Sequence, residues 1–209
     1  MRIIAGERRG WRLESPKGAD VTRPISDRVK ENLFNIIQGQ VPASVALDLF
    51  AGTGSVGLEA LSRGARWVTF VEQDREAARI LQRNVARLGY EAASRVITGD
   101  ALRLRPGIRD TGLRDPPGPL TFDLVFVDPP YRMMADDLMR AVIGESLATL
   151  ASYGAIAEDA TIVVRRESRL KLQYQWPGLE PTRSRPYGSM ALDFLRHAGQ
   201  PSAEGTDDG

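Results

Sequence analysis

Val45–Gly57 reads VALDLFAGTGSVG. A short apolar run, Val45-Ala46-Leu47-Asp48-Leu49-Phe50, gives way to small residues and then to Leu58-Glu59-Ala60-Leu61. This is the profile of a buried strand, a glycine turn and a helix start. Gly52, Gly54 and Gly57 fit G-x-G-x-x-G, which lets the backbone turn tightly and a ligand approach it closely. Glycine turns after strands also have purely structural uses, so the glycines alone do not decide between ligand and packing.

Asp48 sharpens the choice. A carboxylate at a strand end, just before the turn, is costly to bury without a cationic or donor partner. A dinucleotide site presents a helix N-terminus to an anionic pyrophosphate, which an acid there would repel. An acid suits a positively charged ligand, such as S-adenosylmethionine with its ammonium and sulfonium groups. The turn therefore favours a methyl donor over NAD.

Upstream, Arg2–Ala5 and Trp11–Leu13 bracket Gly6 and Gly10, which predicts a hairpin with arginines at its tip. A polar linker with Pro16, Gly18 and Pro24 follows. Ser26 is a candidate N-cap for a helix over 27–38, with Val29, Leu33, Phe34, Ile36 and Ile37 as its apolar stripe and Gly39 as its stop. Downstream, the pattern predicts a helix over 55–63 and a strand over 67–71 ending at Glu72. A helix over 74–88 and a third strand over 95–98 ending at Gly99-Asp100 come next. Alternating strands and helices imply a doubly wound, mostly parallel α/β sheet. Residues 105–120, rich in Pro, Gly and charge, read as an excursion loop. A fourth strand over 122–127, a helix over about 135–150 and a strand around 161–165 continue the pattern. The stretches 170–176 and 190–196 are expected to close the sheet as an antiparallel pair. The small, acidic tail at 199–209 is expected to be disordered.

The strongest chemical signal is FDLVFVDPPY, Phe122–Tyr131. Two prolines directly after an apolar strand cannot donate to the ladder, so the chain leaves the sheet stiffly at its carboxyl edge. That edge is where open α/β sheets bind ligands. Asp128 brings a carboxylate there, Pro129 a free carbonyl and Tyr131 a ring face and a hydroxyl. Asp115-Pro116-Pro117-Gly118 is an internal control: it follows no strand, lacks the aromatic, and reads as loop punctuation. A carboxylate, a carbonyl and an aromatic plate suit a planar base with an exocyclic amine. Accepting both N–H hydrogens returns density to that nitrogen and aligns its lone pair, while the ring holds a flipped base. Attack on a ring carbon would normally need a thiolate, and the chain has no cysteine. Glu72 and Asp100 repeat the strand-end acid of Asp48, placed for ribose hydroxyls and an adenine amino group.

Composition agrees with one globular domain. The 209 residues are 42% hydrophobic and 26% charged with a net charge of +1, and no apolar run approaches a membrane span. A cytoplasmic location is the default expectation. The first thirty residues hold a local basic excess, a candidate phosphate contact. His197, the only histidine, is expected to have no catalytic role, and no metal site is expected.

With these residues in hand, the chain resembles class I S-adenosylmethionine-dependent methyltransferases. More closely, it resembles the bacterial small-subunit (16S) ribosomal RNA guanine-N2 methyltransferases of the RsmD type. RIIAGERRGWRL (2–13), TRPISDRVKENLFNII (22–37), DLFAGTGSVGLEALSRGA (48–65), VEQD (71–74), GDA (99–101) and FDLVFVDPPY carry the resemblance in the family's order. It implies a seven-stranded Rossmann-like sheet with an antiparallel C-terminal strand and a small N-terminal β-hairpin extension. Domain bounds are expected at 1–25 for the hairpin and linker, 26–198 for the methyltransferase domain and 199–209 for the tail. The resemblance implies cofactor contacts at Asp48, Phe50, Gly52, Gly54, Glu72, Gln73, Asp100, Ala101 and Asp128. It implies target-amine chemistry at Asp128, Pro129, Pro130 and Tyr131, and RNA contacts at Arg2, Arg8, Arg9, Arg12 and Arg23. The implied partner is small-subunit ribosomal RNA or the assembling 30S particle, and the implied state is a monomer. Ile25 stands where the family more usually has threonine, and the 105–120 loop and acidic tail are additions. Adenine N6 shares the amine logic, and an NAD(P)-dependent oxidoreductase or a non-catalytic RNA-binding module are alternatives of other classes. Asp48 counts against the oxidoreductase, as does the lack of a catalytic Tyr-Lys or histidine constellation. The intact Asp128–Tyr131 corner counts against the binding module.

Overall fold

The computed structural model describes residues 1–16, 25–104 and 121–198; Arg23, the 105–120 loop and the 199–209 tail lie outside the described residues. β1 (Val45–Leu49) is buried at every position because it runs through the middle of the sheet. β2 (Trp67–Glu72) pairs with it in parallel on one side and β4 (Phe122–Val127) on the other. With β3 (Ser94–Thr98), β5 (Ile156–Glu167), β6 (Leu179–Tyr187) and β7 (Met190–His197), the order is β3-β2-β1-β4-β5-β7-β6. β1 to β5 are parallel, and β7 runs antiparallel to both β5 and β6. The chain works outward from β1 to β3, then returns to the other side of β1 for β4. Strand order reverses between β1 and β4, where an open sheet forms a crevice beyond its carboxyl ends. The expected mostly parallel, doubly wound architecture is present.

Alternation along the strands divides the core in two. Leu124 and Phe126 face a cluster built with α1 (Asp27–Ile36), α2 (Ser55–Ser62) and α3 (Arg75–Leu88). Val125 and Val127 face the other, with α4 (Tyr131–Ala135) and α5 (Asp137–Ser152). The helix ends follow their caps. Ser26 accepts the Val29 N–H, Asp74 accepts the Ala77 N–H at 2.8 Å, and Gly89 stops α3 at φ 77°. The expected face of α3, Ala78, Leu81, Val85 and Leu88, is the buried one.

The N-terminal hairpin closes through Ile3 N–H to Trp11 O and Gly10 N–H to Ile3 O, both 2.9 Å. It is pressed into the domain: Ile3 and Leu13 join the core. Gly6 lies so close to α2 that a Cβ would stand 1.7 Å from the Ser62 carbonyl oxygen. Glu59 of α2, fully buried, accepts the Ile4 N–H at 2.7 Å and the Ala5 N–H at 3.0 Å. Lys30 of α1 reaches into the same spot, 3.4 Å from Glu59 Oε2, and donates to Arg2 O at 2.7 Å and Ser55 Oγ at 3.1 Å.

One expectation is corrected. Residues 170–176 are not a strand; β7 pairs instead with Leu179–Tyr187. Leu170, Leu172 and Tyr174 alternate because they pack on the α5 side of the core, and Trp176 sits where a Cβ on Gly144 of α5 would come within 2.1 Å. The true edge strand is polar and carries Pro181 and Pro186, so its sequence lacks a strand's apolar pattern. The expected helix over about 135–150 is present as α5, capped by Asp136, which accepts the Met139 N–H at 2.9 Å; the short α4 precedes it.

Candidate active site

The pairing of β1 with β4 builds the site. Leu49 lies opposite Val127, and the Asp128 N–H reaches back to Leu49 O at 3.4 Å. On the other side Leu49 lies opposite Val71, so Glu72 is one step beyond the same row. Glu72 in turn pairs with Thr98, bringing Asp100 to the same edge. Adjacent parallel strands stand about 4.8 Å apart, so the expected acids and the glycine turn share one crevice.

The turn opens on strained backbone: Phe50 has φ 62°, where a side chain is disfavoured, and Gly52 and Gly54 follow at 56° and 86°. The glycines serve different ends. A Cβ on Gly54 would meet Leu81 Cδ1 at 2.3 Å, and one on Gly57 would meet Phe70 Cε1 at 2.3 Å; both are demanded by packing. Around Gly52 a Cβ would meet nothing within 4 Å, so there the backbone faces open space that a ligand can enter. Asn84 of α3 secures the turn from behind, donating to Thr53 O at 3.0 Å and bonding Glu14 through both ends of its amide.

Glu72 does two jobs. Its Oε2 accepts the Gly52 N–H at 2.7 Å and its Oε1 the Asp74 N–H at 2.8 Å, bracing the turn while each oxygen keeps a lone pair. Gln73 is exposed beside it. Asp100 caps the turn at Ala101–Arg103 by accepting the Leu102 N–H at 3.0 Å, with Ala101 buried beneath. Asp48 lies deeper than a rim acid: 2% exposed, it accepts the Gly57 N–H at 2.9 Å. Burial pushes its carboxyl up to about 8, and the nearby charges of Asp128 and Glu72 push the same way against the Gly57 hydrogen bond. A buried carboxyl held neutral until a cation arrives, beside further acids on the same edge, fits a cationic ligand.

At the second half of the site, Pro130 O accepts the Met133 N–H at 2.8 Å, whereas the Pro129 carbonyl takes no backbone hydrogen bond among the described residues. Asp128 forms an ion pair with Arg165 Nε of β5. The Arg165 guanidinium also lies 5.4 Å from the centre of the Tyr131 ring. The Tyr131 hydroxyl is buried without a hydrogen-bond partner among the described residues, so a polar ligand atom would complete it. Burial raises the Asp128 carboxyl, and Arg165 opposes that rise. Sequence reasoning missed Arg165. Its signal was a cation closing the apolar run Thr161–Val164, as its strand reached an edge already crowded with acids.

The N-terminal arginines have local partners to different degrees. Arg2 pairs with Asp27 at 2.7 Å, and Arg8 donates to Leu88 O at 2.9 Å between the Trp11 and Tyr90 rings, 5.8 Å from each. Arg9 and Arg12 are exposed. His197 is buried at the end of β7 with Nδ1 2.9 Å from Ala157 O, away from the crevice. Among the described residues no group of acids and histidines is placed to hold a metal, and no helix is long and apolar enough to cross a membrane.

The fold and sequence are shared with known proteins. The model of the family described as "Conserved hypothetical protein 95" matches residues 1–196. The chain is 32% identical over 201 residues to the putative rRNA methyltransferase YlbH of Bacillus subtilis, covering 95% of this chain and 100% of that protein. It is 36% identical over 167 residues to the ribosomal RNA small subunit methyltransferase D of Escherichia coli, covering 80% of this chain and 75% of that one. Among solved structures, the putative methyltransferase yhhF from Escherichia coli superposes with a TM-score of 0.76 at 30% identity, over 96% of this chain and 99% of that one. An RNA methyltransferase from Salinibacter ruber, in complex with S-adenosyl-L-homocysteine, shares the fold at a TM-score of 0.58 and 12% identity, over 89% and 100%. The chain belongs to the conserved hypothetical protein 95 family, alongside the ribosomal RNA small subunit methyltransferase D proteins it resembles.

Proposed function

We propose that the protein transfers the methyl group of S-adenosylmethionine to the exocyclic N2 amine of a guanine in small-subunit ribosomal RNA. One observation carries the reading: the β1–β4 pairing sets the open glycine turn beside the Asp128–Tyr131 corner. S-adenosylmethionine supplies an electrophilic methyl on a cationic sulfonium. Asp48, buried under the turn, faces that positive charge, and Glu72 and Asp100 receive ribose and adenine through their remaining lone pairs. Phe50, Gln73 and Ala101 line the same edge. Asp128 and the Pro129 carbonyl accept the two amine hydrogens, Pro130 stiffens the exit from β4, and Tyr131 stacks on the extruded base. The nitrogen lone pair forms the new N–C bond as the C–S bond breaks, its electrons stay on sulfur, and the surplus proton leaves to water or Asp128. Residues 26–198 form the catalytic domain in this reading. The hairpin forms an RNA-side extension, with Arg9 and Arg12 toward phosphates and Arg2 and Arg8 tying it down.

The test is incubation of the protein with labelled donor and undermethylated small-subunit particles, with naked RNA in parallel. Label recovered as N2-methylguanosine is the expected result. Label recovered as N6-methyladenosine would move the target to adenine, and no incorporation into either substrate would overturn the proposal.

Asp48 adds a prediction about the donor. With its carboxyl at about 8 in the free protein, Asp48 is mostly protonated at neutral pH and ionises when a cation binds. Binding then releases a proton. The bound-state value lies below the free-state value, so affinity rises with pH below about 8. The rise is by up to about tenfold per unit between roughly pH 6 and 7.5, levelling off above. Calorimetry in buffers of different ionisation enthalpy measures the proton, and Asp48→Asn should remove the pH dependence.

A further inference from the structure

Just before its last residue, Glu167, β5 carries two consecutive arginines, Arg165 and Arg166, whose side chains leave opposite faces of the sheet. Their surroundings differ. Arg166 is closed into a structural network. It pairs with Asp193, which also accepts the Tyr174 and Ser184 hydroxyls at 2.6 Å, and it donates to the carbonyls of Glu167 and Leu170 at 3.0 and 2.7 Å. Arg165, opposite Leu192 of β7, instead meets the two residues that the proposed chemistry uses, Asp128 and Tyr131. Its side chain is 9% exposed, so these contacts are not a solvated surface pair.

We propose that Arg165 is the positioning residue of the transfer step, fixing the Asp128 carboxylate with its Nε–H and backing the Tyr131 ring with its guanidinium. This rests on the methyl-transfer reading and deepens it. Asp128 serves an amine as an acceptor, and the carboxylate does this best because both its oxygens accept and neither donates. Burial favours its neutral form, and Asp48 of β1, once a bound cation ionises it, adds a like charge on the same side. Arg165 from β5 is the cation in ion-pair contact with it. A guanidinium suits the task because it is planar, donates along a fixed direction and stacks on an aromatic ring at once. An ammonium at the same place could answer the charge but not support the ring. The Tyr131 hydroxyl, buried and without a partner among the described residues, fits a corner preset for an incoming polar ring.

The experiment compares wild type with Arg165→Lys and Arg165→Met, after confirming by thermal melting and S-adenosylmethionine calorimetry that each folds and binds donor. Arg165→Met should lower kcat about 10²-fold with a much smaller change in the KM for RNA. It should also move the acid limb of the kcat profile upward, because Asp128 then takes up a proton at higher pH. Arg165→Lys should restore the pH limb toward wild type while recovering only part of kcat. A second readout needs no turnover: carboxyl-carbon NMR of Asp128, assigned with Asp128→Asn, should titrate higher in Arg165→Met than in wild type and fall back in Arg165→Lys. An unmoved pH limb and an unmoved Asp128 titration, or equal behaviour of the two variants, would overturn the assignment. Absence of transfer by the wild type would overturn the methyl-transfer reading instead, and the NMR titration would still decide for or against Arg165.

Discussion

Asp128→Asn is expected to lower kcat for methyl transfer by about 10²–10⁴-fold, the range over which a positioned acid–base or acceptor group contributes. The substitution keeps the shape of the corner but removes its charge. An amide presents one oxygen acceptor and a pair of donors, and those donors would face the amine hydrogens that the carboxylate is there to receive. Arg165 would also lose its ionic partner, and the Tyr131 ring one of its supports. The glycine turn, Glu72 and Asp48, which form the proposed donor pocket, stay in place, so calorimetry with S-adenosylmethionine should show a far smaller change than the rate. Single-turnover transfer with labelled donor measures the chemical step directly. Undiminished transfer by Asp128→Asn would remove this mechanism.

The second large effect concerns stability. Glu59→Ala should destabilise the protein by about 3–5 kcal/mol, the cost of stripping one partner from a buried ion pair. Four groups converge on this carboxylate: the Ile4 and Ala5 N–H groups, Arg63 Nε at 2.7 Å and Lys30 Nζ at 3.4 Å. Lys30 has a side-chain exposure of 1%, and burial already pulls its ammonium below its ordinary value despite Glu59. Without Glu59 it would be a buried charge with only backbone and hydroxyl acceptors. Urea unfolding gives the number. The double variant Lys30→Met with Glu59→Leu should lose clearly less than the two single losses added, because both ends of the pair are removed together.

These residues show where the sequence is legible. β1, β2 and β4 are buried on both faces, so they read as continuous apolar runs with sharp ends, and those ends hold Asp48, Glu72 and Asp128. The glycine turn, its neighbouring acids and the Asp128–Tyr131 corner at one sheet edge therefore followed from local pattern. What stayed hidden depends on partners remote in the chain. Glu59 and Lys30 look like ordinary polar positions on amphipathic helices, and only the hairpin folded over α2 makes them a buried pair. Arg165 is 37 residues from Asp128, and no local periodicity encodes that meeting. β6 escaped notice because an edge strand exposed along most of its length has no apolar alternation to display, while 170–176 alternates for packing without pairing.

The polar edge strand has a further consequence. A sheet that ends in a free row of N–H and C=O groups is a template on which another extended chain can grow. Along Leu179–Tyr187 such a chain would meet Pro181 and Pro186, which have no hydrogen to give, a register shift between Pro181 and Arg183, and the charges of Arg183 and Arg185. The same residues that make β6 hard to read thus stop the sheet at seven strands and keep neighbouring molecules from annealing onto it.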